Sequence, residues 1–228
     1  MKDKIKGFLS SVNIFSGRLT RERALKQIEE LGISKFPCCY LDEPDKLKLL
    51  LAAQVPLDSE DILGKAIYRG HYESAALLLS VPGINVNATY ISATPLQWAV
   101  EKRQVALVAM LLSSFGIDVN ATGDIHDDTP VCIAAESGQT EILALLLSVS
   151  GVDVNKTGRT RFGRPLYRAA ANGRVDCVKL LLKARNISIS DDDISVAYRN
   201  GHTLCGQLIE AEKNSLLNKL RRVRDFFN

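Results

Sequence analysis

One short motif, written three times, constrains this chain more than any other feature. Ile84-Asn85-Val86-Asn87, Ile117-Asp118-Val119-Asn120 and Val152-Asp153-Val154-Asn155 are one pattern, and Ile187-Ser188-Ile189-Ser190 is a weaker fourth copy. Each copy follows an apolar run: Leu77-Leu78-Leu79, Met110-Leu111-Leu112, Leu145-Leu146-Leu147 and Leu180-Leu181-Leu182. Three units open on Thr94-Pro95-Leu96, Thr129-Pro130-Val131 and Arg164-Pro165-Leu166, with Ala99, Ala134 and Ala169 four residues past each proline. Ala66 and Ala197 extend the series in both directions. A period of this length marks stacked supersecondary units, and one unit alone cannot bury its own faces.

Elementary chemistry explains the recurring residues. Proline in the first turn of a helix lacks an N–H that would be orphaned there, and a preceding threonine can cap. Small alanines let two short helices approach closely. Gly70, Gly138, Gly173 and Gly201 follow the alanines by four residues. They can take the positive φ that ends a helix and turns the chain. The leucine run forms the second helix of each pair, and the Val-Asn segment begins an extended excursion to the next unit. Helix pairs are expected at 59–69 with 72–80, 94–102 with 104–114, 129–137 with 139–149, 164–172 with 174–184, and 191–200 with 202–212. Ser59 and Asp191 are the expected N-caps of the outer pairs.

The pattern resembles the ankyrin repeat: Thr-Pro-Leu-His-x-Ala-Ala, a Gly-His turn, a leucine run, then Gly-Ala-Asp-Val-Asn. The likeness covers about residues 59–212. It implies an all-α ankyrin-repeat solenoid of about five helix-pair repeats, with helical caps at both ends. The family's histidine after Thr-Pro-Leu is Gln97, Cys132 and Tyr167 here. That imidazole ties neighbouring loops together in the family, so its loss predicts a softer array. Residues 1–58 read as an N-terminal cap, with an amphipathic helix over 17–32 and a degenerate repeat whose second helix is Asp45–Leu51. Residues 213–228 read as a further helix carrying Leu216, Leu217, Leu220, Val223, Phe226 and Phe227, flanked by Lys213, Lys219, Arg221, Arg222 and Arg224.

No catalytic constellation is legible. The phosphate-binding Gly-x-x-x-x-Gly-Lys, the Gly-x-Ser-x-Gly elbow and the His-Glu-x-x-His helix are absent from the sequence. His71 and His202 follow turn glycines, where the resemblance implies a structural role. His126 lies with Asp124, Asp127 and Asp128 in a loop lacking the ligand spacing of a calcium site. A solvated loop tip is the expected reading, and no cofactor or metal is expected. Cys38, Cys39, Cys132, Cys177 and Cys205 are odd in number and widely spaced, which suits a reducing, cytoplasmic compartment rather than a disulfide framework. An enzyme hidden in the N-terminal cap would need Cys38 or Cys39 as an activated nucleophile.

The expectation is a non-enzymatic adaptor that binds a protein partner. In the family, contacts come from the loop tips and from the residues just before the turn glycine. Carried over by position, the candidates are Tyr68, Arg69, Tyr90, Ile91, Glu101, Lys102, Ile125, His126, Asp128, Glu136 and Arg161, and Arg164 and Arg168 join them by their charge. Tyr90 and Ile91 are bulky for a protruding tip. They are either an exposed hot spot or packed on the neighbouring finger. One finger is acidic (Asp124, Asp127, Asp128, with Glu136 below) and the next basic (Arg159, Arg161, Arg164, with Arg168 below). They either orient a charged partner or pair with each other. Trp98 is expected to pack between units.

The net charge of +3 is too small for a general polyanion binder. Nucleic acid is therefore a minor alternative; the basic C-terminal helix is expected to cap the last repeat with its apolar stripe, with an acidic membrane surface or a partner groove as the alternative. The Pro82-Gly83-Ile84-Asn85-Val86-Asn87 linker is similar to ankyrin proteins that intracellular bacteria deliver into host cells. That resemblance implies a host protein as partner, and secretion without an ordinary signal peptide.

Overall fold

A computed structural model describes residues 20–123, 128–158 and 163–227, apart from the side chains at 220 and 223–227. Twelve α-helices and one short 3-10 turn account for the secondary structure of the described residues, with no strand among them. They fall into two compact units. The first comprises 20–118 with 123, and the second 119–122 with the described residues from 128 onward.

In the first unit, α1 (Arg21–Glu30) packs on α2 (Pro44–Ala52), and the 3-10 turn Pro37–Tyr40 also meets α2. Ala24, Ile28, Ile33, Leu50 and Ala53 form their shared core. Two helix pairs follow: α3 (Ile62–Tyr68) with α4 (Tyr72–Leu79), and α5 (Pro95–Glu101) with α6 (Val105–Leu112). First helix packs on first helix (α3 on α5) and second on second (α4 on α6). Leu63, Ala66, Leu77, Leu78, Leu96, Ala99 and Leu111 are fully buried between them.

The second unit repeats the plan. It contains α7 (Pro130–Ser137) with α8 (Thr140–Leu147), α9 (Pro165–Ala171) with α10 (Val175–Leu182), and α11 (Asp191–Arg199) with α12 (Thr203–Phe227).

Local chemistry sets the helix ends. Thr94 accepts from the Gln97 N–H while the Gln97 side chain accepts from the Thr94 N–H, a reciprocal cap. Thr129 accepts from Cys132 N–H. The slot after the first helix is left-handed in all five pairs: Gly70, Gly138, Gly173 and Gly201 occupy four, and Arg103 holds φ +57° in the fifth.

Between units of the repeat, an asparagine clamp recurs. Asn87, Asn120 and Asn155 each donate from Nδ2 to the carbonyl of Gly116, Gly151 or Asn186, at 2.7, 2.8 and 2.6 Å. Each then accepts through Oδ1 from the N–H of Asp118, Asp153 or Ser188, at 3.0, 2.8 and 2.8 Å. One carboxamide thus satisfies a donor and an acceptor on the following turn, a pairing neither Asp nor Leu could make. This is why the motif ends in asparagine.

Three expectations change. Ser59 does not cap α3: Asp61 holds the N-cap position, and Ser59 Oγ donates to its carboxylate instead. Asp191 is the first residue of α11 rather than its cap. Ser190 caps, in a box closed by Asp193. The expected break before Asn214 does not occur, because α12 runs unbroken from Thr203 to Phe227. No glycine or proline lies between 207 and 227 to stop it.

Candidate functional site

The first unit carries one projecting finger. Tyr90 and Ala93 pair as an isolated antiparallel bridge, with N–H to carbonyl distances of 2.9 and 3.3 Å. Between them Ile91 and Ser92 have φ of +45° and +64°. Positive φ at both central residues marks a type I′ hairpin turn, whose preferred residues are Asn and Gly. A β-branched isoleucine there is an outlier. Its side chain is 54 % exposed.

Aromatic side chains brace this finger. The Tyr90 ring lies 5.6 Å from that of Tyr68 on α3, and Tyr68 meets Trp98 on α5 edge-on at 4.7 Å. Trp98 Nε1–H donates to the Tyr90 carbonyl at 2.8 Å. Lys102 Nζ sits 5.3 Å above the Tyr68 ring, a cation–π contact. The cluster exists because Gly64 is a glycine: a Cβ there would lie 2.8 Å from the Tyr90 Cβ. Trp98 is buried, Tyr90 half-buried, and Tyr68 is 36 % exposed. Arg69, Glu101 and Lys102 are exposed around it. Tyr90 thus packs inward on Tyr68, while Ile91 points to solvent.

The position of Tyr90 in the finger, three after the clamp asparagine, is Gly123 and Gly158 elsewhere. Those glycines permit close approach. A Cβ on Gly123 would fall 1.8 Å from the Ser92 carbonyl oxygen. One on Gly158 would fall 1.9 Å from Asp128 Oδ1.

In the second unit the charged candidates satisfy one another. Arg168 donates from Nη1 and Nη2 to both oxygens of Asp128 at 2.8 and 2.5 Å, from Nη1 to Glu136 at 2.6 Å, and from Nε to the Gly163 carbonyl at 3.1 Å. Its side chain is only 17 % exposed. Arg164 replaces the capping threonine of α9 and caps nothing. Instead its Nη2 reaches both oxygens of Asp193 at 3.0 Å, and Ser190 Oγ at 2.6 Å. Burial pushes the Asp193 carboxyl above its ordinary range, against the pull of the Ser190 N–H and the Arg164 charge. Asp128, Glu136, Arg164 and Arg168 are thus all engaged in ion pairs within the second unit. Asp124, Ile125, His126, Asp127, Arg159 and Arg161 lie outside the described residues, as do residues 17–19 of the first predicted helix. So do the side chains of Leu220, Val223, Arg224, Phe226 and Phe227.

Cys132, in the family's histidine position, links loops in its own way. Its Sγ–H reaches the Gly163 carbonyl at 3.1 Å and the Lys156 carbonyl at 3.5 Å. The thiol stays protonated because burial raises its pKa. The predicted loss of the inter-loop tie is thus not general: a thiol supplies one here.

Cys38, one of the two N-terminal thiols, is not activated as a nucleophile. Cys38 is pushed up to about 11, chiefly by its hydrogen bond with the Asp58 carboxylate, so it is a thiol at neutral pH. Among the described residues no three His, Cys, Asp or Glu side chains converge to hold a metal.

Comparison with known proteins agrees with this geometry. The family described as ankyrin repeats (3 copies) matches residues 37–123 and 121–193. An ankyrin repeat domain (ABAYE2397) from Acinetobacter baumannii AYE superposes with a TM-score of 0.67 at 23 % identity, covering 78 % of this chain and 97 % of that one. The ankyrin repeat protein EF0377 gives 0.54 at 21 % identity, covering 67 % and 98 %. No curated protein matches the chain. The solved structures share the fold, and the repeat match spans well over half the sequence: this chain belongs to the ankyrin-repeat family.

Proposed function

We propose that the chain is a protein-interaction module that captures a protein partner on the finger and first-helix face of its first unit. Ankyrin repeats are generally protein–protein interaction modules, and stacked repeats offer extended surfaces for that purpose. The observation that carries the reading is Ile91. It is an exposed β-branched side chain held in a left-handed turn conformation that it disfavours. Folding alone selects Asn-Gly in such a turn. An apolar side chain braced from behind by Tyr68, Tyr90 and Trp98 suits insertion into a partner's pocket. Arg69, Glu101 and Lys102 supply a polar rim.

The linker likeness to delivered ankyrin proteins supports a eukaryotic host protein as the partner. Affinity capture with the full chain, from eukaryotic and bacterial lysates in parallel, tests the proposal when read by mass spectrometry beside an Ile91→Asp bait. A protein retained by the native chain and lost with Ile91→Asp is the expected outcome, and the lysate it comes from identifies the source. Identical protein sets on both baits would refute the reading.

A further inference from the structure

The last helix is far longer than the helix it packs against. α12 has 25 residues and α11 has 9, a difference of about 24 Å at ~1.5 Å per residue. The antiparallel pair ends where Lys213 Nζ meets Asp191 Oδ1 at 2.6 Å, because Asp191 is the first residue of α11. Among the described side chains of α12, the last fully buried one is Ile209. Residues 214–227 therefore extend about 20 Å of helix past the partner helix.

This overhang is not a neutral tail. Leu216 and Leu217 are 37 % and 44 % exposed, and Lys219, Arg221 and Arg222 are exposed beside them. By sequence, residues 214–227 contain four basic groups and one acid. The overhang alone thus carries a charge equal to the whole chain's +3, and the rest of the protein is balanced.

We infer that the projecting part of α12 is a docking helix for an anionic lipid surface. Exposed leucines next to clustered Lys and Arg use both halves of such an interface: apolar groups enter the acyl boundary and basic groups meet the headgroups. A second copy of the chain would bring like charges together. A nucleic acid would leave the leucines unused. No helix among the described residues is long and apolar enough to cross a membrane, so the seat is on the surface rather than through it.

Vesicle co-sedimentation with the full chain tests this. Phosphatidylcholine vesicles containing phosphatidylserine are compared with phosphatidylcholine alone. The chain should bind the anionic vesicles selectively, and added salt should weaken binding. Replacing Lys219, Arg221 and Arg222 together by Gln should lower partitioning about 100-fold, at about five-fold per basic residue. Leu216→Gln with Leu217→Gln should also lower it, and both variants should keep the native circular dichroism. Equal binding to the two vesicles, or binding to neither, would overturn the inference. So would a concentration-dependent dimer that the double leucine variant returns to monomer, or capture of RNA that the triple variant loses.

Discussion

Replacing Asn120 by Ala removes one carboxamide and leaves two backbone groups without partners: the Gly151 carbonyl and the Asp153 N–H, now held at 2.8 Å each. Each such bond contributes about 0.5–1.5 kcal/mol net. Both lie at the surface, where water recovers part of the loss, so the expected cost is about 1–2 kcal/mol. For a chain of this size that lowers Tm by about 2–8 °C. Asn120→Asp sharpens the test. It retains an acceptor for the Asp153 N–H but turns a carboxylate oxygen towards the Gly151 carbonyl, so it should be at least as damaging as Ala. The assay is urea and thermal unfolding followed by circular dichroism, with Asn155→Ala as a parallel case because Asn155 makes the same pair of bonds to Asn186 and Ser188. If Asn120→Ala stays within about 0.5 kcal/mol of the native chain, the range of an ordinary surface change, or if Asp is tolerated, the clamp is not what joins successive turns.

Other positions give equally direct tests. Arg103 holds φ +57° where four other pairs use glycine, so Arg103→Gly should raise stability by about 0.5–1 kcal/mol by relieving that conformation; a lowered Tm would contradict it. Gly123→Ala would press a Cβ to 1.8 Å from backbone oxygen that cannot yield, and should cost about 3 kcal/mol, read by chemical denaturation. Because burial raises the Asp193 pKa, the folded chain holds that proton more tightly than the unfolded one. Its contribution is complete below the unfolded carboxylate range and is lost as pH rises through the higher folded value. The stability difference between the native chain and Asp193→Asn should therefore fall as pH rises above the ordinary carboxylate range. A rising difference would mean that the Arg164 ion pair outweighs burial.

Much of the fold was legible because its determinants are local. Proline in a first turn, glycine at a left-handed slot and leucines at helical spacing each act within a few residues, and their recurrence fixed the helix pairs. What sequence reading missed depends on groups about thirty residues apart. The clamp asparagines could be counted but not assigned, since their partners sit in the next repeat. Arg164 looked like surface charge because Asp193, its buried partner, lies on another helix. The contact between Gly64 and Tyr90 needs both positions in space, although a glycine inside a first helix, at the slot of Gln97 and Cys132, was a usable signal. Two errors were avoidable. Ser190 with Asp193 three residues on is a capping box in plain sequence, and the unbroken stretch after Gln207 contains nothing that ends a helix.

The most direct test of the proposed function separates folding from binding at one turn. The double variant Ile91→Asn, Ser92→Gly installs the residues a type I′ turn prefers. If Ile91 is there for a partner, the variant gains stability, by about 1 kcal/mol, and loses the proteins that the native chain captures. If its Tm falls, or if it captures the same proteins as the native chain, Ile91 belongs to the fold and the first-unit finger is not the binding site.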